Sequence, residues 1–274
     1  MRRPLMLTTQ GPFRNIALAG NEMGIRQLLA VVPSERVRCI IAPSIRPALE
    51  QPIRILAAAA GSAFASQPKY GSPEYGIFLE HLGELELDLL IANNYSMIIR
   101  PDVLEMLKGN CLNVHWALLP ANRGPNPVQW AIIRDEKTTG VTLHFMDQGI
   151  DSGDIVAQRA VEIADDDTWK SLAGKLESIS FDLLHHALPA IFEGRVSRYP
   201  QDDAKANSNR RLTPDSPRID FNHMSDREIY NLIRAQVKPL SGAYIESGEG
   251  RIYFPEWRSL EQVQELRKAY SIKH

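Results

Sequence analysis

Three polar side chains in two short stretches of the sequence could together catalyse attack on a carbonyl group. Asn113 and His115 lie two residues apart in the apolar run "CLNVH" (111–115), so both share one face of a predicted strand. Asp151 lies in the loop "MDQGIDSGD" (146–154), which follows a second apolar run. If the two strands are neighbours, the carboxylate can reach the imidazole and raise its pKa. An imidazolium and an amide can then hold an oxyanion while a neutral amine attacks.

The residue types alone leave structural alternatives open. A histidine after a strand can be a hydrogen-bonded core residue, and an acidic glycine-rich loop can be a solvated turn or a cation site, although 146–154 lacks the ligand spacing of an EF-hand. His144 lies mid-strand, and we interpret it as structural. Cys39 and Cys111 are too few and too far apart for a zinc site, so we predict two reduced core thiols and no bound metal.

The elements that must position these residues alternate between strand and helix. Strands are predicted at 15–20, 37–43, 87–92, 111–115 and 140–146, and the stretch 154–163 is predicted to form one or two more. Helices are predicted at 22–32, 52–61, 72–83, 100–109 and 168–192. The alternation predicts an α/β fold, a doubly wound and mostly parallel Rossmann-like sheet, in which ligands bind at the carboxyl ends of the strands.

The chain divides by composition into four segments. Residues 1–14 are interpreted as an N-terminal extension, 15–200 as the catalytic domain and 201–220 as a polar linker. Residues 221–274 are predicted to form a small α+β appendage, a helix capped by Ser225 and Glu228 followed by a hairpin.

Composition limits the classes of function. The chain has 274 residues, 44% of them hydrophobic, and a formal net charge of −2, which argues against a dominant nucleic-acid-binding surface. No apolar run is long enough to span a bilayer, and the N-terminus lacks the apolar core of a signal peptide, so we expect a cytoplasmic protein without membrane contact.

At the polar residues the sequence resembles a known family, the 10-formyltetrahydrofolate-dependent formyltransferases. The matching motifs are Asn-x-His at 113–115, Leu-Leu-Pro at 118–120, Arg-Gly at 123–124 and the Gly-x-Asp-x-Gly loop at 149–153. The resemblance covers about residues 14 to 200 and extends more loosely beyond them. One departure is Ala117, where many relatives have serine.

The resemblance implies a role for each matching residue. Asn113 and protonated His115 would hold the oxyanion, and Asp151 would set the charge of the histidine and help to remove the proton. The folate, 10-formyltetrahydrofolate, would be bound largely through backbone groups of Met97, Ile98, Ile99, Met146, Asp147 and Gly149. For Met97 to Ile99, plain strand-end packing is the alternative. The acceptor-side candidates are Asn122, Arg123 and Trp116, although Arg123 could instead brace its loop.

The resemblance leaves several acceptors open. Relatives that formylate a phosphoribosyl glycinamide are shorter, and relatives that formylate initiator methionyl-tRNA carry a full basic β-barrel. We therefore expect the amine of a nucleotide-linked 4-amino sugar, of the kind found in bacterial surface polysaccharides. Methionyl-tRNA, a small amine such as hydroxyornithine, release of formate from the folate, and a silent folate-binding module remain alternatives. A homodimer is possible.

Overall fold

The structure, a computed structural model, describes residues 5–8, 12–45 and 47–271. The strands are β1 (Leu5–Thr8), β2 (Ile16–Gly20), β3 (Val37–Pro43), β4 (Ala63–Gln67), β5 (Leu89–Asn93), β6 (Cys111–His115), β7 (Thr138–Phe145), β8 (Ile155–Glu162), β9 (Arg195–Arg198), β10 (Ala243–Ser247) and β11 (Gly250–Phe254). The α-helices are α1 (Glu22–Leu29), α2 (Pro47–Ala59), α3 (Pro73–Glu84), α4 (Pro101–Met106), α5 (Pro127–Ile133), α6 (Trp169–Phe192), α7 (Asp226–Arg234) and α8 (Leu260–Ser271). Short 3-10 turns cover Ser34–Arg36 and Asp203–Lys205.

One seven-stranded sheet, in the order β4-β3-β2-β5-β6-β7-β8, contains the strands that position the catalytic candidates. Its neighbours from β4 to β6 are parallel, whereas β6 and β7 are antiparallel. The central strand β2 is buried along its whole length, as a strand covered on both faces must be. The predicted α/β fold with a mostly parallel sheet is confirmed.

Helices cover the sheet because their apolar stripes match its apolar faces. Residues of α3 and α4 pack on side chains of β2, β3, β5 and β6 in one buried cluster. On α1, the N-cap Asn21 accepts a hydrogen bond from the backbone N–H of Gly24. A Cβ atom at Gly24 would lie 2.1 Å from the carbonyl oxygen of Asn93, so this close approach of helix and strand requires glycine.

Backbone contacts divide the chain into two compact units, each made of three separate stretches. The first unit takes its described residues from Met1–His115, Val141–Arg159 and Ser180–Asp203. The second takes Trp116–Gly140, Ala160–Ile179 and the described part of Ala204–His274. The domain boundaries at 200 and 220 stay a prediction. Within the second unit, Asn207 and Asn209 are hydrogen-bonded to the 122–123 loop.

The second unit has an apolar core of its own. Side chains of α7, the β10–β11 hairpin and α8 form it. The predicted capping box of α7 is present, since Ser225 and Glu228 each bond the backbone N–H of the other. The predicted hairpin is also present, with Ala243 opposite Phe254 and Ser247 opposite Gly250.

Several elements differ from the sequence-based expectations. Strand β4, helix α5 and helix α8 are present where none was predicted. Helix α2 begins at Pro47 and contains Pro52, which was predicted to mark its start. In the segment expected to be an extension, β1 pairs antiparallel with β9. Burial raises the pKa of the Cys39 and Cys111 thiols to about 12, so both stay protonated at neutral pH.

Candidate active site

The antiparallel pairing of β6 and β7 brings two polar residues side by side on the sheet. Asn113 is the middle residue of β6, and its cross-strand partner on β7 is His144. Residues opposite each other in an antiparallel pair point to the same face, as do residues two apart on one strand. Asn113, His115 and His144 therefore share a face, and the polar cluster lies on the sheet rather than beyond the strand ends.

The carboxylate of Asp151 contacts all three of these side chains. Its Oδ2 lies 3.5 Å from Nδ1 of His115, and its Oδ1 lies 3.5 Å from Nε2 of His144. Nδ2 of Asn113 donates to Oδ1 at 3.3 Å. His115 and His144 are 7% and 1% exposed, so the Asp151 carboxylate meets both rings largely out of water, where electrostatic interactions are stronger.

His144 controls the orientation of the Asn113 amide. Its Nδ1 lies 2.8 Å from the carbonyl oxygen of Phe145, and because a carbonyl only accepts, Nδ1 carries a proton. In the neutral ring Nε2 is then an acceptor, and it lies 3.2 Å from Nδ2 of Asn113. The amide nitrogen is thus held toward both His144 and Asp151. The interpretation of His144 as purely structural misses this contact.

The loop that carries Asp151 is tied back onto the sheet. Asp147 accepts hydrogen bonds from the backbone N–H of Gly149 at 3.0 Å and from the Ser152 hydroxyl at 2.7 Å. A Cβ atom at Gly153 would lie 2.0 Å from the carbonyl oxygen of Phe145, so the closed loop needs glycine there. Asp151 itself has φ +52°, a left-handed conformation that costs roughly 1–3 kcal/mol and must be held by its surroundings.

The segment 97–99 follows the carboxyl end of β5 as irregular backbone. Gln67, at the end of β4, donates from Nε2 to the carbonyl oxygen of Ile98 at 3.0 Å and accepts from the Tyr95 hydroxyl at 2.7 Å. The side chain of Ile98 is 60% exposed, whereas Ile99 and Met146 pack on the buried cluster of the first unit. The backbone that the resemblance assigns to folate binding is therefore held by a buried glutamine that sequence reasoning did not single out.

The acceptor-side candidates Asn122 and Arg123 lie in the second unit, where the loop is fastened to the segment 207–212. Asn122 is 2% exposed and donates to Glu136 at 2.9 Å, while its Oδ1 accepts from Arg134 at 2.6 Å. The backbone of Arg123 exchanges hydrogen bonds with Asn207 and Asn209. These contacts give Asn122 and the Arg123 backbone a bracing function.

Trp116 follows His115 directly in the chain and is half-buried. Trp130, on α5, donates from Nε1 to the carbonyl oxygen of Arg210 at 2.9 Å. Within the described ranges, no three His, Cys, Asp or Glu side chains are grouped so that they could hold a metal ion. Among the described residues, no helix is both long and apolar enough to cross a membrane.

Comparison with known proteins identifies the chemistry. Residues 54–189, which include all three catalytic candidates, match the family model described as formyl transferase. The chain carries a formyl transferase domain. The domain match agrees with the family that the motifs at 113–124 and 149–153 resemble. Formyl transferases of this family use a formyl-tetrahydrofolate.

One curated relative of this formyl transferase is the methionyl-tRNA formyltransferase of Ruminiclostridium cellulolyticum. The two are 35% identical over 221 residues, which are 80% of this chain and 66% of the relative. The chain thus spans about two thirds of that relative's length.

Two solved structures resemble the fold of this formyl transferase. A 4-N formyltransferase from Francisella tularensis superposes with a TM-score of 0.71 and 19% identity, covering 91% of this chain and 99% of that one. WlaRD, a sugar 3N-formyl transferase solved in the presence of dTDP and 5-N-formyl-THF, has a TM-score of 0.62 and 19% identity, covering 82% and 79%.

Proposed function

We propose that this formyl transferase moves the formyl group of 10-formyltetrahydrofolate to the amine of a nucleotide-linked 4-amino sugar. The observation that carries the chemistry is the contact of one carboxylate with His115 and Asn113 on a largely buried face of the sheet. Transfer of an acyl group to a neutral amine requires two hydrogen-bond donors for the oxyanion and an acid–base pair at the same point.

In this mechanism the amine attacks the formyl carbon and the carbonyl oxygen becomes an oxyanion. Asn113 supplies an amide N–H and His115 an imidazolium N–H to that oxygen. The bonds from Asn113 to His144 and Asp151 are long, 3.2 and 3.3 Å, so the amide can turn one N–H to a stronger, charged acceptor at small cost.

Proton movement follows from the orientation of His115. Its Nδ1 faces Asp151, so its Nε2 lies on the opposite side of the ring and is the nitrogen offered to the reacting atoms. Asp151 favours the charged ring and takes part in removing the proton of the attacking amine. Collapse of the intermediate breaks the bond between the formyl carbon and N10 of the folate. The proton that the amine loses balances the proton that N10 takes up as it leaves. The formylated amine and tetrahydrofolate are the products.

The fold and the charge of the chain support a sugar acceptor. A 4-N formyltransferase superposes on 91% of this chain and over 99% of its own length. A net charge of −2 offers no general attraction to a polyanion such as tRNA. The same proposal includes a nucleotide linked to the sugar, and a location in the cytoplasm.

Formylation of methionyl-tRNA is the second candidate. It is favoured by the 35% identity to the methionyl-tRNA formyltransferase over most of this chain. The two candidates share the catalytic residues and differ in the acceptor only. Binding and turnover measurements with both acceptors distinguish them.

The test is a turnover assay with 10-formyltetrahydrofolate and a panel of acceptors. The panel contains dTDP- and UDP-linked 4-amino sugars, initiator methionyl-tRNA, N-hydroxyornithine and a phosphoribosyl glycinamide, with tetrahydrofolate release as the readout. We expect turnover with a 4-amino sugar nucleotide. Turnover with methionyl-tRNA alone, or equal release of formate with and without any acceptor, would overturn the sugar assignment.

Matched aspartate variants test the catalytic centre in the same assay. Asp151→Asn keeps the shape of the side chain but removes its charge, and we expect it to abolish transfer. Asp154→Asn, in the same loop, is the control, because its carboxylate interacts with Arg198 rather than with the imidazoles. Near-normal turnover by the Asp151 variant contradicts the proposed role.

A further inference from the structure

Gln201 bonds to the loop 146–154 at Asp151 and again two residues further along the chain. Its Nε2 donates to the carbonyl oxygen of Asp151 at 2.8 Å and to the carbonyl oxygen of Gly153, also at 2.8 Å. Both bonds have the ideal length for an amide donor and a carbonyl acceptor. A single side-chain amide therefore holds two points of the loop 146–154, and one of them is the backbone of Asp151.

The backbone register delivers Gln201 to this position. Ile155 and Tyr199 form an antiparallel bridge, each donating its N–H to the carbonyl of the other at 2.9 Å. Two residues further along the antiparallel strands, Gly153 lies opposite Gln201. The contact is thus built on paired backbone and does not depend on a chance encounter of two surface loops.

The geometry of Asp151 needs such a restraint. Its backbone has φ +52°, a conformation that a residue with a side chain leaves readily unless something holds it. Its carboxylate meets Nδ1 of His115 at 3.5 Å, a distance at which a small rotation of the backbone breaks the contact. The carbonyl of Asp151 is the atom that this rotation would move, and Gln201 holds that atom.

We propose that Gln201 is a positioning residue for the formyl transfer, which fixes the left-handed backbone of Asp151 and so keeps its carboxylate on His115. The inference rests on the proposed role of Asp151. Through these two bonds Gln201 holds backbone carbonyls of the loop, so their effect on the reaction passes through Asp151. The imidazole of His115 is faced by the Asp151 carboxylate and by the ring of His144, 6.3 Å away between centroids.

The first test is the variant Gln201→Ala. We expect kcat to fall about 10- to 100-fold, the loss that follows a displacement of about 1 Å of a catalytic group. The His115 ring should titrate at a pH about one unit lower, because the opposite charge beside it has moved away. The titration is followed by NMR of labelled histidine, with the signal assigned by comparison with His115→Gln.

The second test separates hydrogen bonding from packing. Gln201→Glu keeps the length and volume of the side chain but replaces the N–H donor with an oxygen, so we expect a loss of kcat as large as in Gln201→Ala. Gln158→Ala is the matched control, because Gln158 donates one amide bond to Thr142 in the same unit and does not touch Asp151 or Gly153 through that bond. The control should keep the wild-type titration of His115.

The outcomes are decisive in either direction. If Gln201→Ala lowers only the melting temperature, with kcat and the His115 titration unchanged, the proposal is overturned. Full activity of Gln201→Glu would overturn it as well. The histidine titration needs no acceptor, so it reports on Gln201 even if the sugar assignment fails. Normal turnover by Asp151→Asn, with a shifted titration in Gln201→Ala, would reject the catalytic role and retain the positioning contact.

Discussion

Asn113 uses its amide twice in the structure, toward His144 at 3.2 Å and toward Asp151 at 3.3 Å. Both bonds lie at the weak end of the range for N–H donors. The Asn113 amide is therefore oriented by weak hydrogen bonds, and a substrate oxygen could replace one of its present acceptors. In the proposed mechanism, Asn113 is thus oriented by its neighbours for an oxygen that becomes charged only during the reaction, which would stabilise the transition state more than the substrate.

Replacing Asn113 by alanine tests this role. The variant loses one oxyanion donor, and we expect kcat to fall by a factor of about 100 to 1000, equivalent to roughly 3 kcal/mol. Binding of the folate, measured by its thermal shift, should change little because the donor acts mainly in the transition state. A loss of less than about tenfold contradicts the assignment.

At the residue scale, the candidate site could be proposed from the sequence because its motifs are short and dense. Asn113, His115 and Asp151 come together in the structure as the resemblance implied. His144 and Gln201 could not be found this way. Their contacts depend on the antiparallel registers of β6 with β7 and of Ile155 with Tyr199, and neither register has a signature in the local sequence.

At the scale of elements, helix α7 is fastened by an arginine placed between two carboxylates. Arg227 pairs with Asp135 at 2.5 Å and also with Asp165. Partial burial raises the pKa of Asp135, but hydrogen bonds from Arg227 and Lys137 outweigh it and bring the pKa down to about 2. Arg234, which is 1% exposed, adds a bond to the carbonyl oxygen of Asp167 at 2.8 Å. These contacts hold α7 within the second unit.

This pairing predicts how stability depends on pH. An aspartate with a depressed folded-state pKa stabilises the fold above its unfolded pKa of about 3.9, and the contribution is lost as the pH falls toward about 2. We expect Asp135→Asn to lower the free energy of unfolding at pH 7 by about 1 kcal/mol or less, because the carboxylate is 34% exposed. The difference from wild type, measured by urea titration, should shrink between pH 4 and pH 2.

The control for this prediction is Asp215→Asn. Asp215 pairs with Arg251 at 2.6 Å but is 72% exposed, so its pair is screened by water and should contribute little. Equal losses in the two variants, or a loss in Asp135→Asn that stays constant down to pH 2, would show that the buried pairing is not the cause.

At the scale of the whole molecule, the sheet and its flanking helices could be predicted, whereas the division into units could not. Strands β3 and β6 have the predicted bounds because apolar runs ended by polar residues or proline define them locally. The segment 201–220 was interpreted as a linker because it is polar. Polar side chains, however, can form hydrogen bonds within the protein as well as with water. Asn207 and Asn209 are hydrogen-bonded to the backbone and side chain of the 122–123 loop.

The proposed catalytic groups lie partly on paired strands and partly on a loop, and this difference has a consequence for heat inactivation. Asn113 and His144 face each other within the hydrogen-bonded ladder of β6 and β7, while Asp151 hangs on a loop outside it. Loops open in local fluctuations that cost far less than the cooperative melting of a central sheet. On warming, activity should therefore be lost reversibly before the protein denatures. In hydrogen–deuterium exchange, the backbone amides near residue 151 should exchange quickly while those of residues 113 and 144 remain protected. Simultaneous exchange at all three positions would mean that loop and ladder melt as one.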